Sequence, residues 1–222
     1  MLARLRHIRN WIFDLDNTLY PARANLFAQI DERITSYLAQ RLDLNRAEAR
    51  RVQKDYFHRH GTTLFGMMAE HGADPHEFLA YVHDVEMDVL DHDAPLVSAI
   101  ARLPGRKLVF TNGDAPYALK VLGRLGLAES FEAIHDIHAM AYVPKPALSA
   151  YQGMLAAHGL DPAESLFVED MARNLRPAKE LGMTTVWVDN GSEQDPGDDD
   201  RGFIDFTTRD IAGWLHEILE GA

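Results

Sequence analysis

Apolar residues recur along this chain with two different periods. Residues 10–13, Asn-Trp-Ile-Phe, form a short apolar run that ends abruptly in Asp14, the pattern of a strand buried on both faces. Tyr20-Pro21 stops the extended run and turns the chain away. From about residue 24 to residue 90 the period becomes helical: Leu26, Ile30, Ile34 and Leu38 recur at fours, and Phe78, Val82, Val85 and Val89 at threes and fours. Within that stretch residues 41–55 predict a charged helix with few apolar positions. Asp74-Pro75-x-Glu77 predicts a helix start, with aspartate at the N-cap and proline in the first turn. The acid-rich residues 84–93 read as a solvated helix face.

Beyond Pro95 the texture changes to short apolar runs alternating with amphipathic segments, the signature of a doubly wound α/β domain with a parallel sheet. Strands are predicted at residues 107–111, 131–137, 165–169 and 184–189. Helices are predicted at 116–125, ended by Gly126, at 146–158, ended by Gly159, and around 174–181. The glycine- and acid-rich residues 190–202 predict a surface loop, and 207–220 an amphipathic closing helix. The expected organisation is therefore a core formed by residues 1–19 and 94–222, with an all-helical domain, residues 20–93, inserted after the first strand.

Composition narrows the classes of function. A chain of 222 residues with a formal net charge of −12 is poorly suited to a nucleic-acid polymer, because phosphate backbones are held by clustered Lys and Arg. An anionic small substrate would need a local cation. There is no cysteine, hence no disulfide, thiolate metal site or cysteine nucleophile. The eleven histidines show no zinc-ligand spacing with an adjoining acid. No apolar run reaches membrane-spanning length and the basic N-terminus lacks a signal-peptide pattern, so a cytoplasmic location is expected, with no membrane partner.

The candidate chemistry sits at strand ends. Asp14 and Asp16 project to one face if the first strand continues through them, and the carboxyl edge of a parallel sheet is where such folds bind ligands. A strand followed by an Asx turn, with Asp16 or Asn17 capping the next helix, accounts for the same residues without function. Thr111-Asn112-Gly113 ends the second predicted strand and offers a hydroxyl and accessible N–H groups to a phosphoryl oxygen. Lys145, just before a predicted helix, can share an anion with that helix's N-terminal dipole. Glu169-Asp170 follows the fourth strand and suits a hard, oxygen-seeking cation such as magnesium.

As an ordered set, FDLDNTLYP, VFTNG, VPKPA and FVEDMARN resemble the four motifs of the haloacid dehalogenase-like hydrolases. That resemblance implies a Rossmann-like core with strand order 5-4-1-2-3 and makes the helical insertion a cap domain. It also implies magnesium-dependent phosphate monoester hydrolysis. Asp14 would be the nucleophile that forms an aspartyl-phosphate, and Asp16 the general acid and then base. Thr111, Asn112, Gly113 and Lys145 would hold the phosphoryl group. Asp14, Asp170 and the Asp16 backbone carbonyl would ligate Mg2+, with Glu169 in the outer shell. Asn174 replaces the motif's customary last acid, which leaves that position a polar positioning role. Asp16 favours ester hydrolysis over dehalogenation, because a halide leaves without protonation; a phosphomutase would also carry it.

A longer match, through DLDNTLYPARANLFAQIDERITSYL, HGTTLFGM and FVEDMARNLRPAKELGMTTVWV, resembles the pyrimidine 5'-nucleotidase branch. The resemblance implies UMP or CMP as substrate. Asn25, Arg33, His58, Thr62 and Thr63 are the polar candidates for base recognition, and Tyr20, Phe27 and Phe65 the candidates for stacking. Other small phosphate esters, such as a sugar phosphate or phosphoglycolate, fit the same motifs. So does a phosphate-accepting receiver module that does not turn over, although the insertion and the four-motif order weigh against it. The sequence leaves the oligomeric state open.

Overall fold

The computed structural model describes residues 5–191 and 201–220. Six parallel strands form one sheet in the order β3-β2-β1-β4-β5-β6: β1 (Asn10–Phe13), β2 (Arg106–Phe110), β3 (Ala133–His135), β4 (Ser165–Glu169), β5 (Thr184–Val188) and β6 (Phe206–Thr208). β1 lies inside the sheet, paired with β2 on one side and β4 on the other. Both β1 and β4 are buried along their whole length, and that is why their sequences are runs rather than alternations. After β1 the chain leaves the sheet for an insertion of four α-helices, α1 (Leu26–Leu42), α2 (Arg46–His60), α3 (Thr63–His71) and α4 (Pro75–Val82), and α5 (Ala94–Arg102) then leads into β2. With α5, helices α6 (Ala115–Leu125), α7 (Leu148–His158), α8 (Ala172–Glu180) and α9 (Ile211–Glu220) complete the core.

Local chemistry accounts for the boundaries. Asp74 caps α4 through the backbone N–H groups of His76 and Glu77, and Asp114 caps α6 through that of Tyr117. Gly105 turns the chain into β2 at φ +83°, where a Cβ would lie 2.2 Å from the Arg9 carbonyl oxygen; the start of the β1/β2 pair thus depends on glycine.

Four expectations need correction. The order 5-4-1-2-3 omits β6, which adds a strand beyond β5. The closing helix begins at Ile211, not 207, because Phe206–Thr208 pairs with β5 before the chain turns. Residues 41–55 do not form one helix: α1 ends with Asp43 in the left-handed region, and Asn45 starts α2 with a capping box to Glu48. The helical period through Val85 and Val89 is broken at His83, which ends α4, and only a 3-10 turn, Met87–Val89, follows within 84–93. Of the loop predicted at 190–202, residues 192–200 lie outside the described residues. Among those described, no helix is long and apolar enough to cross a membrane.

Candidate active site

The carboxyl ends of β1, β2 and β4 bring three of the predicted acids, Asp14, Glu169 and Asp170, close to the buried ammonium of Lys145. Lys145 is 1% exposed. Its Nζ donates to Asp14 Oδ1 (2.7 Å), Glu169 Oε2 (2.8 Å) and the Phe110 carbonyl oxygen (2.8 Å), so all three N–H bonds point inward. In this arrangement Lys145 acts first on Asp14, and not through the dipole of the following helix, which begins only at Leu148. Asn112 staples the Lys145 backbone in place: its Oδ1 accepts from the Lys145 N–H (2.9 Å) and its Nδ2 donates to the Lys145 carbonyl (3.2 Å). Asn112 therefore serves the lysine's main chain, where a phosphate contact was expected. Thr111 is fully buried, and its hydroxyl oxygen accepts the Gly113 N–H at 3.0 Å, which occupies the amide expected to be accessible but leaves the hydroxyl proton to donate.

The turn after β1 holds the other side of Asp14. Asn17 takes φ 57°, a left-handed conformation that asparagine tolerates better than most residues. The reversal returns Thr18 so that its hydroxyl donates to Asp14 Oδ2 (2.9 Å) and approaches Asp170 Oδ1 (3.5 Å). Asp14, Glu169 and Asp170 each present a carboxylate oxygen within 4.8 Å of the others, all three buried. A set of hard oxygen donors with this much negative charge fits a divalent cation such as Mg2+. Glu169 is tied on both oxygens: Oε2 also accepts from Asn174 Nδ2 (3.1 Å) and Oε1 from the Met171 N–H (3.1 Å). Asn174 thus orients Glu169, and its backbone carbonyl accepts from the Tyr151 hydroxyl at 2.6 Å.

Burial and the neighbouring Glu169 push the Asp14 carboxyl up to about 7, with Lys145 opposing them. For Glu169, burial works against the charge, but Lys145 and the Met171 N–H outweigh it and hold the carboxyl below its usual range. Lys145 is likewise held charged: burial disfavours the ammonium, and the Asp14 and Glu169 charges more than compensate.

Asp16 lives in a different setting. Its carboxylate is half-buried and stands outside the acidic group. Oδ1 accepts from the Tyr20 hydroxyl (2.6 Å) and from the Tyr117 hydroxyl (2.6 Å). Burial raises the Asp16 carboxyl above its ordinary value against these two hydrogen bonds. The tyrosines are raised well above theirs, by burial first and then by the Asp16 charge, so both stay protonated donors. Tyr20 was expected only as a stacking residue, and Thr18 and Tyr117 were missed. The spacing of four residues from Asp14 to Thr18 and from Asp16 to Tyr20 was the available signal.

Several of the candidates for base recognition already have partners within the insertion. Asn25 is an exposed left-handed residue before α1, and His58 is exposed beside the Phe57 ring. Thr62 caps α3, while buried Thr63 donates to the Gln53 carbonyl. Phe27 is 42% exposed and Phe65 lies against His60. Arg33 donates to the Tyr81 carbonyl and to Asp84. It lines a cleft of about 660 Å³ between the insertion and the core, along with His76, Tyr81, His83, Tyr117 and His138.

The profile of the haloacid dehalogenase-like hydrolases matches residues 8–182. The chain belongs to this family. A glyceraldehyde 3-phosphate phosphatase of Methanocaldococcus jannaschii is 27% identical over 217 residues, covering 92% of this chain and 94% of that protein. Among solved structures of the fold, a HAD phosphatase from Thermococcus onnurineus superposes with a TM-score of 0.63 at 20% identity, covering 96% and 99% of the two chains. An L-2-haloacid dehalogenase from Xanthobacter autotrophicus, with chloropropionic acid covalently bound, gives a TM-score of 0.58 at 15% identity, covering 97% and 100%. Within the haloacid dehalogenase-like hydrolases the fold alone therefore does not separate ester hydrolysis from dehalogenation, and the decision falls to the side chains around Asp14 and Asp16.

Proposed function

We propose that this hydrolase cleaves small phosphate monoesters in two steps through an aspartyl-phosphate on Asp14. The observation that carries the reading is the separate housing of the two acids at the end of β1: Asp14 in the grip of Lys145 and Thr18 beside two further carboxylates, Asp16 apart under two tyrosine hydroxyls. A carboxylate oxygen of Asp14 attacks phosphorus and the ester P–O bond breaks. The leaving oxygen takes a proton from Asp16. Water then attacks the phosphorus, gives its proton to Asp16, and frees phosphate and Asp14. Lys145 holds Asp14 in orientation and offsets its charge, and the Thr111 hydroxyl is a donor for the phosphoryl oxygens. Magnesium would be held by Asp14, Asp170 and the Asp16 backbone carbonyl, with Glu169 behind them, and when bound would supply positive charge to offset the phosphoryl oxygens and the crowded acids.

The division between core and helical cap follows the same reading, with residues 20–93 covering the site formed by 1–19 and 94–222. The cleft between them supports a compact polar ester. Its aromatic faces are already paired, Tyr117 with His83 (4.3 Å between centroids), His76 with His138 (4.7 Å) and Tyr81 with Tyr37 (5.4 Å) and the Arg33 guanidinium. A nucleobase would have to stack on the opposite faces of these rings or displace one of the pairs. The phosphatase named for glyceraldehyde 3-phosphate points the same way. The sequence match to pyrimidine 5'-nucleotidases keeps UMP and CMP as the second reading.

Incubation with p-nitrophenyl phosphate and magnesium is expected to give steady turnover that Asp14→Asn abolishes. Phosphorylation without turnover would replace the hydrolase by a receiver module. Phosphate release from glyceraldehyde 3-phosphate, phosphoglycolate, UMP and CMP then ranks the substrates, and a clear preference for the nucleotides would reverse the choice between the two readings.

A further inference from the structure

Asp16 is gripped on one oxygen only. Tyr20, from the turn after β1, and Tyr117, from α6, both place their hydroxyls 2.6 Å from Oδ1, and the two hydroxyl oxygens are 3.4 Å apart. An oxygen that accepts two O–H donors has its lone pairs occupied, so a proton on this carboxyl belongs on Oδ2. Two donors from separate elements also fix the plane of the carboxyl, because rotation about Cβ–Cγ would break both bonds. Tyr117 is in turn immobilised. It is 1% exposed, its ring stacks on His83 of the insertion at an interplanar angle of 15°, and His83 Nδ1 is 2.9 Å from Asp114, the residue that caps the helix carrying Tyr117.

We propose that Tyr20 and Tyr117 are positioning residues for proton transfer, holding Asp16 Oδ1 so that Oδ2 faces the ester oxygen that leaves phosphorus. The proposal rests on the phosphatase reading, since it assigns a task to the proton donor of that reaction. The balance of the step is unchanged: the P–O bond breaks, the electron pair stays on the ester oxygen, and the proton on Oδ2 neutralises it. His83, which belongs to the insertion, makes the placement depend on the helical domain as well as on the core.

Proton delivery matters in proportion to the basicity of the leaving oxygen. Phenyl phosphate and p-nitrophenyl phosphate bind through nearly the same surface, but the nitro group makes the leaving phenolate a far weaker base with little need of a proton. The quantity to compare is kcat/KM, which reports events up to the first phosphoryl transfer and so excludes the later work of Asp16 on water. Tyr117→Phe and Tyr20→Phe keep the rings and remove only the hydroxyls. Each is expected to lose roughly tenfold or more in kcat/KM on phenyl phosphate and less than about threefold on p-nitrophenyl phosphate, within the range general acid catalysis commands. An equal loss on both esters would mark the hydroxyls as merely structural and overturn the proposal, as would no loss on either. Each variant is read alone, so failure of one to fold leaves the other decisive. A wild type that cleaves only the nitro ester overturns the positioning role while leaving a phosphatase. A wild type that cleaves neither defeats the phosphatase reading itself.

Discussion

Lys145 spends its three hydrogens on Asp14, Glu169 and the Phe110 carbonyl, and at 1% exposure water replaces none of them. Removing it leaves two acids in a desolvated space with no cation, the situation in which a broken buried ion pair costs most. Lys145→Met is expected to lose about 3–5 kcal/mol in urea unfolding measured with EDTA present. A loss below about 1 kcal/mol would show that the acids shed their charge by taking up a proton instead. That Asp14 and Asp16 close a buried strand was legible from the sequence, but the shared face was not met: β1 stops at Phe13, the chain turns through Asp16, and the two acids end in separate settings. The grip on them was less legible. Thr18 and Tyr20 reach back across a turn whose shape depends on the left-handed Asn17, and Tyr117 meets Tyr20 from 97 positions away, beyond any local pattern.

At the scale of elements, the strands that read most clearly are those buried on both sides. β1 and β4 appear with the expected bounds, because a continuous apolar run can do little else in a parallel sheet. β3 shrinks to three residues from an expected seven, and β6, also three residues long and at the sheet edge, was absorbed into the closing helix. Neither carries enough apolar period to be told from its surroundings. The break between α1 and α2 was hidden because charged residues run through it unchanged and only the cap at Asn45 marks it. The ends of β3 and α7 also bring His135 and His158 together, with Nδ1 and Nε2 3.3 Å apart. Burial lowers both below the ordinary 6.5, helped at His135 by the facing His158 and at His158 by Arg106, whereas Asp136 and Glu132 oppose the shift. The unfolded chain therefore takes up protons that the folded pair refuses. Stability is unaffected well above pH 6.5 and falls as the pH drops below it. His135→Asn is expected to flatten the stability profile between pH 7 and 5; chemical denaturation of variant and wild type at matched pH measures it, and parallel profiles would contradict the assignment.

At the scale of the whole molecule, a net charge of −12 meets a sheet edge where Asp14, Glu169 and Asp170 stand within 4.8 Å of one another. Any divalent cation will screen such a chain to some degree, so thermal stabilisation by magnesium alone proves nothing about the site. The difference between wild type and Asp170→Ala does, because the substitution removes one proposed ligand and leaves the remaining surface charge almost unchanged. A ligand that binds only the folded state at a hundred times its dissociation constant adds about 2.7 kcal/mol, roughly 5–10 °C for a chain of this size. Without metal, Asp170→Ala also relieves crowding among the acids, so in EDTA its melting temperature is expected to equal or exceed that of wild type. Magnesium should reverse that order, raising wild type and hardly moving the variant. Equal shifts in both proteins would confine magnesium to general screening and remove the metal from the proposed reaction, while the tyrosine-held Asp16 and the Lys145-held Asp14 would still have to account for any turnover.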